Sequence, residues 1–262
     1  MKQFISFSGG IESTTMCVLF GNEADAIFAD TGFEHKLIYD RIDLVEKWVQ
    51  NFHRKDFKIH RIKSKYGTLP NRIREIAFYP SFTTRYCTRE MKIQPIDTFL
   101  NIYKEEGCRL MIGLNYNEQN RINKRQFNQS FIVYFYPLAV NKLSRESCVT
   151  ILKKADLFPN FPVYMRRGGC IGCFYKQECE YEAMAILNPE EFKIVEDLEI
   201  ELQTLNKEGY HGRKLYFTIL PNISMTQIRE NAFKKIKNGF FKQEEIYFNL
   251  GNTTPCGIFC NR

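Results

Sequence analysis

No apolar run in this chain of 262 residues approaches membrane length. The longest, Phe131 to Val140, is about half a span and is broken by Pro137, so no spanning helix is expected. Residues 1–7 are too short and too soon interrupted for a signal peptide, which makes a cytoplasmic protein the expectation. No internal repeat or low-complexity linker appears, so the chain does not read as a repeat array. With 44% hydrophobic and 26% charged residues it is not a disordered chain either; the length suits one substantial core and a smaller appendage. Nine cysteines in a reducing compartment are not expected to pair as disulfides, which leaves buried small residues, metal or cluster ligands, or redox thiols. The net charge of +7 suits an anionic partner such as a nucleotide or nucleic acid, and equally a solvated basic surface.

One further absence is informative. The apolar run Phe4–Phe7 breaks at Ser8-Gly9-Gly10 and restarts as a helical pattern at Ile11, the order strand, loop, helix N-terminus. Such a loop cradles phosphate: glycines let the backbone approach an anion, Ser8, Ser13 and Thr14 offer hydroxyls, and the helix offers free N–H groups at its positive end. The kinase-type loop would end in Gly-Lys-Ser/Thr, and that lysine is missing, so the Walker-type reading fails.

The first 160 residues alternate strand and helix. Strands are expected at Gln3–Phe7, Asp25–Ala29, Phe57–Ile62, Arg109–Leu114 and Ile132–Tyr136. Between them, Leu37, Ile38, Ile42, Val45, Trp48, Val49 and Phe52 share one helical face. That alternation implies a parallel sheet with helices on both sides and ligands beyond the carboxyl ends of its strands. After a cysteine-rich stretch, a capped helix is expected from Asn188-Pro189-Glu190-Glu191 to about Gly209, and another from the Ser224/Gln227 capping box to Gly239. The chain thus divides into an α/β nucleotide-binding part, 1–165, and a cysteine-rich, helical part, 166–262, packed against it.

The Ser8–Thr14 loop resembles the SGGxDS loop of the PP-loop ATP pyrophosphatases, also called adenine nucleotide alpha hydrolases. Further segments, in order, are similar to the 3'-phosphoadenosine-5'-phosphosulfate (PAPS) reductase family in its broad sense, which includes the sulfurtransferase of DNA phosphorothioation. Asp30-Thr31-Gly32 looks like its DTG segment, and Cys87 through Lys92 to Pro95 like its Cys-x-x-x-x-Lys-x-x-Pro stretch. Gly113 to Arg121 resembles its GxRxxESxxR, and Arg166-Arg167-Gly168-Gly169-Cys170-Ile171-Gly172-Cys173 its substrate-loop and cysteine region.

The resemblance implies a Rossmann-like (HUP-type) sheet, ATP, and cleavage of its α-β bond to adenylate an acceptor that then receives sulfur. It implies that Ser8, Gly9, Gly10, Ser13 and Thr14 hold the phosphates, that Glu12, where relatives carry Asp, positions Mg²⁺, and that Asp30 and Thr31 line the adenosine side. Gly113 joins the nucleotide site, while Lys92, Arg121, Arg166 and Arg167 bind anionic groups, with Glu118 orienting Arg121. Cys170-x-x-Cys173 is a chelating spacing; with Cys87 and Cys179 it implies a four-cysteine [4Fe-4S] site, with zinc the rival metal. Cys17, Cys108 and Cys148 fall in apolar patterns and read as core. Cys256, in a terminal segment resembling the thiol-bearing tail of PAPS reductases, is a catalytic candidate with Cys260 as resolving partner.

Two other classes remain open. A PAPS or adenylylsulfate reductase would use Cys256 and a thioredoxin-like reductant. A non-catalytic nucleotide- or nucleic-acid-binding module would use the basic stretches Arg61–Lys65, Arg121–Arg125 and Lys234–Lys242, with Phe240, Phe241 and Tyr247 available for stacking.

Overall fold

A computed structural model describes residues 1–123, 129–166, 169–207 and 218–239. Five strands, β1 (Lys2–Phe7), β2 (Asp25–Asp30), β3 (Ile59–Lys63), β4 (Cys108–Met111) and β5 (Ile132–Phe135), form one sheet in the order β3-β2-β1-β4-β5, every pair parallel. Each expected strand is present, with ends that coincide or shift by at most three residues. The helices are α1 (Ile11–Phe20), α2 (Lys36–Phe52), α3 (Leu69–Ile76), α4 (Tyr86–Thr88), α5 (Gln94–Leu100), α6 (Gln119–Asn123), α7 (Pro137–Val140), α8 (Arg145–Lys154), α9 (Glu178–Leu187), α10 (Pro189–Lys207) and α11 (Met225–Lys237). A π-helical turn, Arg89–Ile93, joins α4 to α5. The result is a Rossmann-like α/β fold.

Strand alternation feeds two cores. Ile5, Phe7, Ala26 and Phe28 face α1, α2 and α8, while Phe4, Ile27, Ala29 and Leu110 face Ile96 and Leu100 of α5. A parallel sheet covered on both faces explains why every residue of β2 is buried. Helix α2 follows the expected stripe through Ile38, Ile42, Val45 and Val49, but Leu37 (42% exposed) and Phe52 (68%) lie off it. Leu37 falls at the edge of that stripe, about 100° round the helix from Ile38, and Phe52 stands in the last turn, where the core no longer covers it.

Tyr181, Met184, Phe192, Val195 and Ile228, from α9 to α11, belong to the same core cluster as Ile5 and Phe7, so the cysteine-rich and helical part is packed against the α/β part. Ser224 caps α11 in a capping box with Gln227, and Gly239 follows with φ 70°, as the sequence led one to expect. Asn188 accepts from the Glu191 N–H at the start of α10, which is described to Lys207. Cys17, Cys108 and Cys148 are fully buried. No helix among the described residues is long and apolar enough to cross a membrane.

Candidate functional site

The strand order reverses between β1 and β4, and the crevice beyond their carboxyl ends is where open α/β sheets bind ligands. The Ser8–Thr14 loop lies there. Gly9 has φ 75°, a left-handed conformation that costs a side chain, and Gly10 is the N-cap of α1 without a side chain to satisfy the first-turn amides. Ser8 N–H donates to Ser13 Oγ at 3.2 Å, and the two hydroxyl oxygens stand 3.1 Å apart. Thr14 is fully buried. Gly113, after β4, lies so close that a Cβ there would meet Glu12 and the Ser13 amide at 3.3 Å. The loop after β4 therefore forms the second wall of the same crevice.

Two arginines that the sequence reading passed over hold this loop. Arg41, buried in α2, donates from Nε to Gly9 O at 2.8 Å and from one terminal nitrogen to Leu157 O at 2.6 Å and Thr14 Oγ1 at 3.3 Å. Burial pulls its pKa down to about 10. The signal was present: Arg41 interrupts the apolar stripe of α2. Arg145, in the first turn of α8, donates to Glu12 Oε1 at 2.5 Å, and Asn115 Nδ2 donates to the same oxygen at 3.3 Å. A cation in a helix's first turn opposes the helix dipole, and the Glu12 carboxylate offsets that.

A second group of residues assembles at the end of β2. Asp30 Oδ1 accepts from Gly32 N–H and from Tyr39 Oη, both at 2.8 Å. Thr31, fully buried, donates to Glu34 Oε1 at 2.9 Å, and its hydroxyl lies 3.5 Å from Cys170 Sγ. Cys170 Sγ also donates to Glu34 Oε1 at 3.4 Å, and Lys92 Nζ stands 3.8 Å from that oxygen. The backbone makes this meeting: Glu34 and Cys170 form an isolated antiparallel bridge, with Ile171 N–H donating to Phe33 O at 2.8 Å. Thr31, expected on the adenosine side, thus also meets the Cys170 thiol.

Cys87, Cys170 and Cys173 share this neighbourhood. Burial raises all three thiols, Cys87 to about 11, and the charge of one acts on another. Burial works against the charge of Lys92, but Glu34 and the three sulfurs outweigh it and hold the ammonium above its ordinary value. Three tyrosines fix the surroundings: Tyr79 donates to Gly172 O at 2.5 Å, Tyr181 to Cys173 O at 3.1 Å, and Tyr86 to Phe78 O at 2.6 Å.

Cys179 is not in this group. It is exposed at the start of α9, donates to Gln177 Oε1 at 3.7 Å, and the charges acting on it are chiefly Glu180 and Glu182. A turn after Cys173, closed by Lys176 N–H donating to Cys173 O at 2.8 Å, leads into α9, where Cys179 is exposed. Among the described residues no three His, Cys, Asp or Glu side chains are gathered as a metal-binding group, so the three thiols are neighbours without being in ligand geometry.

Arg121 pairs with Glu118, whose other oxygen accepts from Asn115 N–H at 3.2 Å, the orienting role the sequence suggested. Arg166 is half-buried. Arg167, Cys256, Cys260, Phe240, Phe241 and Tyr247 lie outside the described residues. No family model matches the chain, and no curated protein matches it.

Proposed function

We propose that this chain is a PP-loop enzyme, similar to the PAPS reductase family in its broad sense, that binds ATP with Mg²⁺, cleaves the α-β bond and transfers sulfur to the adenylated acceptor. One observation carries this reading: a phosphate-type loop after β1 and a group of three thiols with an ammonium after β2 stand on the same edge of the sheet, on strands about 5 Å apart.

In this reading the first-turn amides of α1 and the Ser8 and Ser13 hydroxyls receive phosphate oxygens, with Gly9, Gly10 and Gly113 leaving room for them. Thr14 and Arg41 keep the loop in shape from beneath. Arg145 moves from Glu12 to the pyrophosphate, which frees the Glu12 carboxylate for Mg²⁺. An acceptor oxygen then attacks the α-phosphorus, the α-β bond breaks, and pyrophosphate leaves with its electron pair. A sulfur nucleophile from a donor next displaces AMP from the adenylated carbon or phosphorus. Arg121 and Arg166 meet anionic groups of the acceptor, and Lys92 keeps positive charge beside the thiols.

Cys87, Cys170 and Cys173 would hold an iron-sulfur cluster or zinc; the chemistry such a group supplies when bound is a soft site for sulfur. Their thiols must lose protons and draw together for this, so metal uptake lowers the pH of a weakly buffered solution. Cys179, exposed and donating to Gln177, would supply a fourth ligand only by leaving that partner.

The test is anaerobic purification followed by incubation with labelled ATP or labelled PAPS. Formation of AMP and pyrophosphate from ATP supports the proposal. Consumption of PAPS with release of sulfite selects the reductase reading instead, and consumption of neither refutes an enzyme of this class.

A further inference from the structure

A cavity of about 680 Å³ opens on the α5 side of the sheet, at the far edge from β5, and the phosphate-loop chemistry makes no use of it. It lies between the end of β3 and α5, and its size is that of a pocket for a small molecule. Its walls divide by chemistry. Lys63 and Lys65 are exposed cations with no carboxylate partner among the described residues, Lys65 lying over the Tyr66 ring at 5.0 Å. Gln94, Thr98 and Gln129 bring neutral donors and acceptors. Two carboxyl groups line it as well: Glu90, which is paired with Arg72 and Arg89, and Asp97, whose carboxyl burial raises above the usual range. Phe99 offers an aromatic wall backed by Phe4 and His60, which hold its ring in place.

Cations beside an array of neutral amides, a carboxyl and a fixed aromatic ring match the two parts of a nucleotide, an anionic phosphate and a planar heterocycle with donor and acceptor edges. A purely apolar ligand would leave the amides unpaired, and a bare anion would have no use for Phe99 or Asp97. The position adds a second argument. Cys87 and Gln94 stand on one helical stretch, seven residues or roughly 10 Å apart along its axis, so the cavity lies about two turns from the Cys87 thiol.

We propose that this cavity binds one nucleotide unit, its phosphate at Lys63 and Lys65 and its base between Phe99 and the Gln94, Asp97 and Thr98 side of α5. Binding here does not depend on the ATP-cleaving reading; that the bound nucleotide is the sulfur acceptor does.

The experiment titrates the full chain with a short labelled single-stranded DNA, the corresponding RNA and nucleoside monophosphates, with ATP binding measured in parallel. Tighter binding of a strand identifies nucleic acid as the source of the nucleotide, and equal binding of monophosphates identifies the free form. The Lys63→Ala/Lys65→Ala variant should weaken binding about tenfold and lower the slope of log affinity against log salt by about 1 to 2. Thr98→Trp, which fills the cavity, should weaken base binding more than tenfold. Both variants should bind ATP as the wild type does, so failure of the ATP-cleaving reading leaves this result standing. Wild-type affinity in both variants, or no binding of any of these probes to the unaltered protein, overturns the proposal.

Discussion

Gly172, between Cys170 and Cys173, is the residue whose replacement tests the cysteine turn most directly. A Cβ built there would lie 2.2 Å from Tyr79 Oη and 2.7 Å from Phe33 Cε1, closer than atoms pack. Tyr79 and Phe33 are 4% and 3% exposed, so neither ring can move aside without disturbing the core. Overpacking of this kind costs about 1–3 kcal/mol, and displacing Tyr79 breaks its hydrogen bond to Gly172 O, worth about 1 kcal/mol more. Gly172→Ala should therefore destabilise by about 2–4 kcal/mol, a fall of roughly 4–16 °C in Tm for a chain of this size. The companion is Tyr79→Phe, which removes the hydroxyl that the new methyl strikes. The double variant should recover at least about 1 kcal/mol relative to the sum of the two single changes, measured as a double-mutant cycle by urea unfolding at constant m. A Gly172→Ala protein that melts within about 2 °C of the wild type, or a strictly additive cycle, would refute this account of the turn.

Other predictions bear on the remaining parts of the site. Arg145→Ala should weaken ATP binding about tenfold while changing stability by less than about 1 kcal/mol, because the side chain is 32% exposed and its ion pair is open to water; calorimetric titration beside thermal melting separates the two. Cys173→Ser should lose bound metal under anaerobic loading, whereas Cys179→Ser and Cys148→Ser should keep it, read by metal content and absorbance; equal loss in all three would contradict the three-thiol group. For Asp25, burial alone would raise the carboxyl, but the Arg54 hydrogen bond and the Lys58 amide outweigh it and hold it below the ordinary range. A depressed carboxylate stabilises above its unfolded pKa, near 4, and that stability is lost as pH falls through the folded value. Asp25→Asn should thus lower stability at neutral pH and narrow the gap to wild type below pH of about 4, followed by denaturation across pH.

The Ser8–Thr14 loop was legible because strand, glycine pair and helix start are local: each follows from a few adjacent residues, and Gly9 takes the left-handed conformation a glycine permits. The strands were legible for the same reason, since a parallel sheet covered on both faces needs short runs of apolar residues. Arg41 and Arg145 were not read as site residues, although each leaves a trace, a charge in an apolar stripe and a cation in a first helical turn. What those traces lack is the identity of the partner, which lies across the fold at Gly9 and at Glu12.

The cysteines mark the boundary between the two kinds of information. Their number and spacing in the sequence nominate Cys87, Cys170, Cys173 and Cys179 alike, because spacing constrains only neighbours along the chain. The bridge between Glu34 and Cys170 and the packing of Tyr79 on Gly172 bring three of them to Lys92 and leave Cys179 on an exposed helix turn. Local sequence determined the elements and the phosphate-type loop, since backbone preference and hydrophobic period act over a few residues. Only the tertiary structure decided which thiols meet and which arginines hold the loop, because those contacts join segments far apart along the chain whose proximity is set by how the whole core packs.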